Sequence, residues 1–310
     1  MASDLKKSYQ DKLQRAVAQN DYTNAEKMIK ALDVLHKLQA GDTIEWGDEP
    51  WETELQNELS DSFVPSPAET LSLSASTVET YLECPLKYRF KQIDKIPESA
   101  SRPQLTFGNI IHKVLERFHG SEGEITEDQI LQILDEEWKS GEFTYMQREE
   151  KLKEQAVEML KRYVDNTKQE PPHVLDTELK FSFDLDGIRI VGMIDRIDNS
   201  SNGNKVVDYK TSKRSTPAKN SVQLGIYSLY LQQTEDEKLA GIPETATLYF
   251  LRDEEQPEHS HTFTEKDLDA IREKIADVAR GIRAKRFEPC SGYHCDWCDY
   301  KNLACPAWES

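Results

Sequence analysis

No run of about 18 apolar residues occurs in the chain, so no membrane-spanning helix is expected. The first residues, Met1 to Lys7, lack the apolar stretch of a secretory leader. Cysteine is sparse: there are 5 among 310 residues, an odd number bunched toward the C-terminus. That pattern does not resemble a secreted disulfide framework, and a reducing, cytoplasmic setting is expected. The sequence Gly-x-x-x-x-Gly-Lys-Ser/Thr, whose backbone cradles nucleotide phosphates, is missing, so this chain alone is not expected to power a helicase. Positive charge is also short, with 39 Lys and Arg against 57 Asp and Glu and a net charge of −18. Such a balance argues at first against nucleic acid, which ordinarily leaves a basic footprint.

The distribution of charge softens that objection. Residues 41–70 hold 9 acids (Asp42, Glu45, Asp48, Glu49, Glu52, Glu54, Glu58, Asp61, Glu69) and no Lys or Arg, which is half of the excess. Bases gather elsewhere: Lys87, Arg89, Lys91 and Lys95; Lys205, Lys210, Lys213, Arg214 and Lys219; Arg280, Arg283, Lys285 and Arg286. A local basic groove is compatible with a negative whole. At 37% hydrophobic residues the chain can still bury a sizeable core.

Three parts are expected. Residues 1–40 read as a helical hairpin, with Leu5, Tyr9, Leu13 and Ala16 at helical spacing, a break at Asn20, and Met28, Ile29, Leu32, Leu35 and Leu38 resuming it. Residues 41–70, with Pro50, Pro65 and Pro67, are expected to form an irregular acidic arm or linker, because proline and dense like charge oppose a packed element. Residues 71–310 form the main domain. There, residues 175–186 alternate as a strand that turns at Gly187, residues 245–251 read as another strand, and helices are expected over 127–168, 221–230 and 265–286.

Residues 190–211 organise the rest. They read as two strands joined by a turn at residues 199–203. Val191, Met193, Asp195 and Ile197 share one face of the first strand; Val206, Asp208 and Lys210 share one of the second. A carboxylate among apolar residues is costly to bury unless it is paired or holds a cation. Asp195 and Asp208 converging from adjacent strands suit a hard divalent cation, and Lys210 beside them can orient a water.

The order strand, turn, Asp-x-Lys strand, helix resembles the core of the PD-(D/E)XK nucleases, in particular the RecB/AddB-type branch. Its Gly-x-Ile-Asp-Arg-Ile-Asp and Asp-Tyr-Lys-Thr signatures fall on Gly192, Asp195, Arg196, Asp198, Asp208, Tyr209, Lys210 and Thr211. Its Gly-x-x-x-His-x-x-Leu-Glu pattern falls on Gly108, His112, Leu115 and Glu116, and its Gln-x-x-x-Tyr on Gln223 and Tyr227. Glu178 stands near where relatives carry an acid, a looser match. The resemblance covers about residues 71–308. It implies an α/β restriction-endonuclease-like core, a central mixed sheet flanked by helices, acting as a metal-dependent DNA nuclease. Asp195, Asp208, His112 and the Tyr209 carbonyl would hold Mg²⁺ or Mn²⁺, and Lys210 would position the attacking water. Glu116, Gln223, Tyr227 and Arg196 would contact DNA or support the site, and Gly108 would permit close helix packing.

The C-terminal cysteines admit two readings. A Cys-x-x-Cys with further thiols nearby is a strong metal signal. Cys290, Cys295, Cys298 and Cys305 would make a local zinc site with Cys84 idle. By resemblance to the iron–sulfur branch of the family, Cys84, which opens a Cys-Pro motif, would instead join Cys295, Cys298 and Cys305 around a [4Fe–4S] cluster, and that reading is favoured. The function implied is exonuclease action on single-stranded DNA or duplex ends, in end processing or recombinational repair, with a UvrD-like helicase in cis or trans as partner. The alternatives are a stand-alone iron–sulfur exonuclease and a catalytically silent DNA-binding subunit.

Overall fold

The computed structural model describes residues 2–40, 44, 46–63, 71–98, 103–121, 126–138, 146–212, 217–301 and 305–308. The chain divides into two compact units, Met1–Pro67 and Ala68–Ser310. Among the described residues no helix is long and apolar enough to cross a membrane.

The described residues of the first unit form three helices, α1 (Ala2–Ala18), α2 (Tyr22–Ala40) and α3 (Pro50–Phe63). Asn20, in the left-handed region at φ 57°, ends the first. The third corrects the expectation of an irregular arm. Pro50 occupies the first helical position, where its missing N–H costs nothing, and Glu52 lies in the first turn, where negative charge is favoured. Trp51, Leu55 and Leu59 recur every four residues on one face, and Leu55 is fully buried against Tyr9, Ala31 and Leu35. Glu54 is exposed to water and Glu58 is paired with Lys12 of α1, so these acids do not prevent packing. Residues 64–70 lie outside the described set.

In the second unit six strands form one mixed sheet: β1 (Leu71–Leu73), β2 (His173–Leu185), β3 (Ile188–Ser200), β4 (Gly203–Lys210), β5 (Thr245–Phe250) and β6 (Glu258–His261). This is the mixed sheet flanked by helices that the sequence leads one to expect. Along one edge β3 pairs with β2 through a tight turn, where Asp186 and Gly187 both have positive φ (52° and 74°). Along its other edge β3 changes neighbour. Ile188 to Ile190 pair in parallel with β1, whereas Arg196 to Ser200 pair antiparallel with β4. β4 in turn lies parallel to β5, with Lys210 opposite Phe250. The strands β1 and β6 escape a sequence reading for simple reasons. The first is three residues long, and the second, on the sheet edge, has no apolar residue to alternate.

Helices cover both faces. On one lie α6 (Pro103–Gly120), α7 (Glu127–Glu137) and α8 (Met146–Gln169), whose Phe107, Ile111, Leu115, Leu134 and Leu160 pack with Val207, Tyr209, Tyr249 and Leu251 of the sheet. On the other, α9 (Val222–Gln233) is apolar on nearly every side, as a helix sandwiched between layers must be. It is backed by α10 (Glu265–Arg283) and by α4 (Ala75–Glu83), which is followed by the four-residue α5 (Pro85–Tyr88).

Close approach falls at glycines other than the one expected. A Cβ on Gly108 would sit 3.5 Å from Thr211 Oγ1, an ordinary contact, so close packing does not require glycine there. A Cβ on Gly192 would run into the Phe181 ring, and one on Gly281 into Tyr81.

Because each unit has its own core, residues 68–310 are expected to fold without residues 1–67. The shortened chain should show a cooperative thermal transition and a helical and strand circular-dichroism signal. A non-cooperative, aggregating product would make the first unit part of the main core.

Candidate active site

The site lies where β3 leaves β4. Their ladder ends at Arg196 opposite Val207, and one step further Asp195 and Asp208 face the widening gap. There the Asp195 carboxylate takes the place of a ladder carbonyl: Tyr209 N–H donates to Asp195 Oδ2 at 2.8 Å. His112 on α6 sets Nδ1 3.3 Å from the same oxygen. On β2, Glu178 adopts a left-handed φ of 52°, which distorts the strand beside Asp195. One ligand atom each from His112, Glu178 and Asp195 lie within 4.8 Å of one another. Two carboxylates and an imidazole at that separation fit a divalent cation.

Asp208 stands beside this group but is held by a different set. Lys210 Nζ lies 2.6 Å from Asp208 Oδ2 and donates to Gln223 Oε1 at 2.8 Å. Gln223 Nε2 donates to the Tyr227 hydroxyl at 2.6 Å, and that hydroxyl donates to Asp208 Oδ1 at 3.3 Å. A closed ring of polar contacts thus joins β4 to α9, with Gln223 and Tyr227 one helical turn apart. Asp208 is 1% exposed. Burial, and then the charge of Asp195, push its carboxyl up to about 6. Burial and the same neighbour push Glu178 up to about 7. At His112 burial opposes the charged form, but Asp195, by hydrogen bond and charge, and then Asp208 and Glu178 outweigh it and raise the pKa. The site therefore carries more negative charge than its protein surroundings neutralise.

Two further expected residues stand beside the cation group, each with partners of its own. Glu116 ion-pairs with Lys113 at 2.7 Å and is not in the cation group. Arg196 is 7% exposed, so it has no surface to offer DNA. Its Nε lies 2.9 Å from Asp198 Oδ1, and its Nη1 donates to the hydroxyls of Tyr163 and Tyr209, each at 2.6 Å. His119 Nε2 lies 2.5 Å from the Tyr163 hydroxyl, and burial followed by the Arg196 charge lowers His119 to about 3, so it stays neutral. This buried network anchors the ring of Tyr209, the residue whose backbone N–H holds Asp195. Sequence reading missed Tyr163 and His119 and gave Glu178 too little weight. Nothing in the sequence signals a left-handed residue in a strand.

Part of each expected basic cluster is neutralised. Lys87 pairs with Glu83, Arg89 with Asp94, Lys91 with Glu98 and Arg280 with Asp277. Lys213 and Arg214 lie outside the described residues. Cys84, Cys290, Cys295, Cys298 and Cys305, all free thiols, line one cavity of about 340 Å³. Cys84 is buried and its Sγ accepts the Cys290 N–H at 3.5 Å, so the Cys-Pro motif and the C-terminal tail do meet.

Residues 72–306 match the profile of the PD-(D/E)XK nuclease superfamily. The chain belongs to the PD-(D/E)XK nuclease superfamily. The superfamily assignment carries with it phosphodiester hydrolysis, a DNA substrate and use of divalent metals as its general chemistry. Two curated relatives are the gene 69 proteins of Mycobacterium phages L5 and D29. The first is 24% identical over 287 residues, and the second 25% identical over 268. Each alignment covers 76% of this chain, with 96% and 97% of the phage proteins respectively. Among solved structures, a candidate exonuclease from Eubacterium rectale is similar at 14% identity and a TM-score of 0.47, over 84% of this chain and 95% of that one.

The nuclease site makes a stability prediction. Raised carboxyl pKa values mean that the folded chain keeps protons the unfolded chain releases. The stability these groups contribute is full below about pH 4 and is lost as pH rises through about 6 for Asp208 and about 7 for Glu178. His112, also raised, acts in the same direction. In chelator, the melting temperature should fall between about pH 5 and about pH 8, and saturating Mn²⁺ should raise it by several degrees, more at the higher pH. An Mn²⁺ shift equal at both pH values, or none, would count against a cation site at these residues.

Proposed function

We propose that the chain is a Mg²⁺- or Mn²⁺-dependent deoxyribonuclease that acts as an exonuclease on single-stranded DNA in end processing or recombinational repair. The observation that carries this reading is the gathering of His112, Glu178 and Asp195 beside the Asp208–Lys210 pair in the gap between β3 and β4. His112, Asp195, Asp208 and the Tyr209 carbonyl would hold the cation, with Glu178 added to that set. A bound divalent ion supplies charge stabilisation at the phosphate and a more acidic water. Lys210, fixed between Asp208 and Gln223, orients the attacking water. Gln223 and Tyr227 hold that lysine, and Arg196 holds Tyr209. A catalytically silent subunit has no use for so complete a set.

In the reading favoured by resemblance, a UvrD-like helicase supplies the strand, in cis or in trans. One observation favours the stand-alone alternative: the phage relatives are matched over 96% and 97% of their length, which leaves them no room for a motor domain. Digestion of end-labelled single- and double-stranded DNA with Mg²⁺ or Mn²⁺, with and without ATP and a helicase, separates the two.

We further propose that Cys84, Cys295, Cys298 and Cys305 hold a [4Fe–4S] cluster. What supports the reading is that Cys84, from the start of the domain, lines the same cavity as the three late thiols, as a ligand set drawn from both ends of the domain requires. Anaerobically purified protein should be brown and contain about four irons per chain. Cys84→Ser should bleach it and lower its melting temperature, whereas Cys290→Ser should do little. Colourless, zinc-loaded protein that tolerates Cys84→Ser but not Cys290→Ser would establish the zinc site instead.

At the nuclease site, Asp208→Ala or Lys210→Ala should lower turnover by about a thousandfold or more while leaving the fold and DNA binding nearly intact. Cleavage by Asp208→Ala at close to the wild-type rate would remove the assignment. His112→Ala should raise the cation concentration needed for half-maximal activity by about 10–100-fold, with partial recovery in Mn²⁺. Superimposable metal titrations of this variant and the wild type would reduce His112 to a packing residue.

A further inference from the structure

We infer that Arg252 binds a backbone phosphate of the DNA strand beside the cleavage site, an inference that rests on the nuclease reading above. β5 runs parallel to β4, Phe250 is the register partner of Lys210, and Leu251 N–H donates to the Lys210 carbonyl at 3.0 Å. Arg252 follows at once. It therefore emerges at the carboxyl end of two parallel strands, the end at which open α/β sheets hold their ligands. The guanidinium carbon stands 5.5 Å from the centre of the Phe107 ring. Phe107 lies on α6, the helix that carries His112.

What marks this arginine is a buried guanidinium donor that no described residue serves. Its Nε is buried without a hydrogen-bond partner, and no ion pair joins Arg252 to any described residue. Several arginines of the unit are served by acids, Arg89 by Asp94, Arg117 by Glu136 and Glu137, Arg162 by Glu254, Arg196 by Asp198 and Arg272 by Asp269, while Arg189, Arg283 and Arg286, which pair with no described acid, are exposed to water. A partly desolvated cation with no anion is costly in a chain with 57 acids and 39 bases, where carboxylates are easily found. Stacking on Phe107 offsets part of that cost and holds the guanidinium plane in place. Burial lowers the Arg252 pKa, the sign expected of a cation that lacks its partner. A guanidinium presents paired donors that match two oxygens of one phosphate, which an exposed lysine does not. A second site for free anions is not needed to explain it. The strand entering the gap at Asp195 and Asp208 brings a phosphate every nucleotide, and Arg252 stands on the neighbouring strand end.

The test is equilibrium binding of a fluorescent oligothymidylate of about 20 nucleotides in chelator, measured across a salt series. Arg252→Gln is expected to weaken binding about tenfold and to lower the slope of log affinity against log salt by about 0.7, the share of one single-strand phosphate contact. Arg252→Lys should recover part of the affinity and most of the slope. A residue that merely packs on Phe107 would alter the melting temperature and leave the slope unchanged. Should Arg252→Gln fail to fold, the wild-type protein serves: the oligonucleotide should protect Arg252 from phenylglyoxal, read by peptide mass. A folded Arg252→Gln with wild-type affinity and slope, or no protection of the wild type, overturns the inference. Cleavage of the same oligonucleotide by the wild type with Mg²⁺ or Mn²⁺ separates the two readings. Binding with the predicted slope but no cleavage would sink the nuclease reading alone, and cleavage without an Arg252 effect would sink this one alone.

Discussion

Negative charge that the protein itself does not neutralise is held at the point where two strands part, and the second unit is arranged around that constraint. Asp195 and Asp208 would repel each other in any continuous antiparallel ladder. Here the ladder stops one residue short of them, and the Asp195 carboxylate is bonded by Tyr209 N–H. β3 can leave β4 without exposing a long edge because β2 pairs along its full length and β1 takes over its other side. The gap is thus built into the topology and does not depend on a mobile loop. Its cost is visible in Asp208 and Glu178, whose carboxyls are held well above their ordinary range by burial and by neighbouring acids.

Three sets of contacts keep this arrangement rigid. The ring through Lys210, Gln223, Tyr227 and Asp208 fastens β4 to α9 on one face of the sheet. On the other, Arg196 draws Asp198, Tyr163 and Tyr209 together, so the residue that bonds Asp195 is fixed by its ring as well as by its strand. Removing the guanidinium would strand a buried Asp198 carboxylate, a loss usually worth about 3–5 kcal/mol. The third is at Gly192, where the Phe181 ring fills the space of a side chain and packs against Tyr227 and Tyr230 of α9. The signature glycine is therefore a packing requirement next to the chemistry.

The cysteines address a different problem. The helix segment after Cys84 and the tail after Cys290 are far apart in sequence and form a small cluster of their own, in which Phe90 and Tyr300 meet at 5.4 Å. So few apolar contacts give a weak closure of a long loop, which a shared inorganic group would strengthen in the manner of a cross-link.

The sequence by itself determined the central hairpin, the Asp-Tyr-Lys strand and the helices that flank it, because period-two and helical spacing survive in any context that buries one face, and its spaced motifs carried the resemblance to the superfamily. It also placed His112, Asp195, Asp208, Lys210, Gln223 and Tyr227 together through their order along the chain. The helix Pro50–Phe63 was hidden by its acids, although Trp51, Leu55 and Leu59 carried the periodicity. Only the tertiary structure decided the position of Glu178 beside Asp195, which depends on a left-handed residue in a strand, and the pairing of Glu116 with Lys113, which depends on the direction a long side chain takes. It alone sent Arg196 into the interior and left Arg252 without an acid among the described residues. A charge's role is set by which other charges reach it through space, and spacing along the chain records only those on the same element.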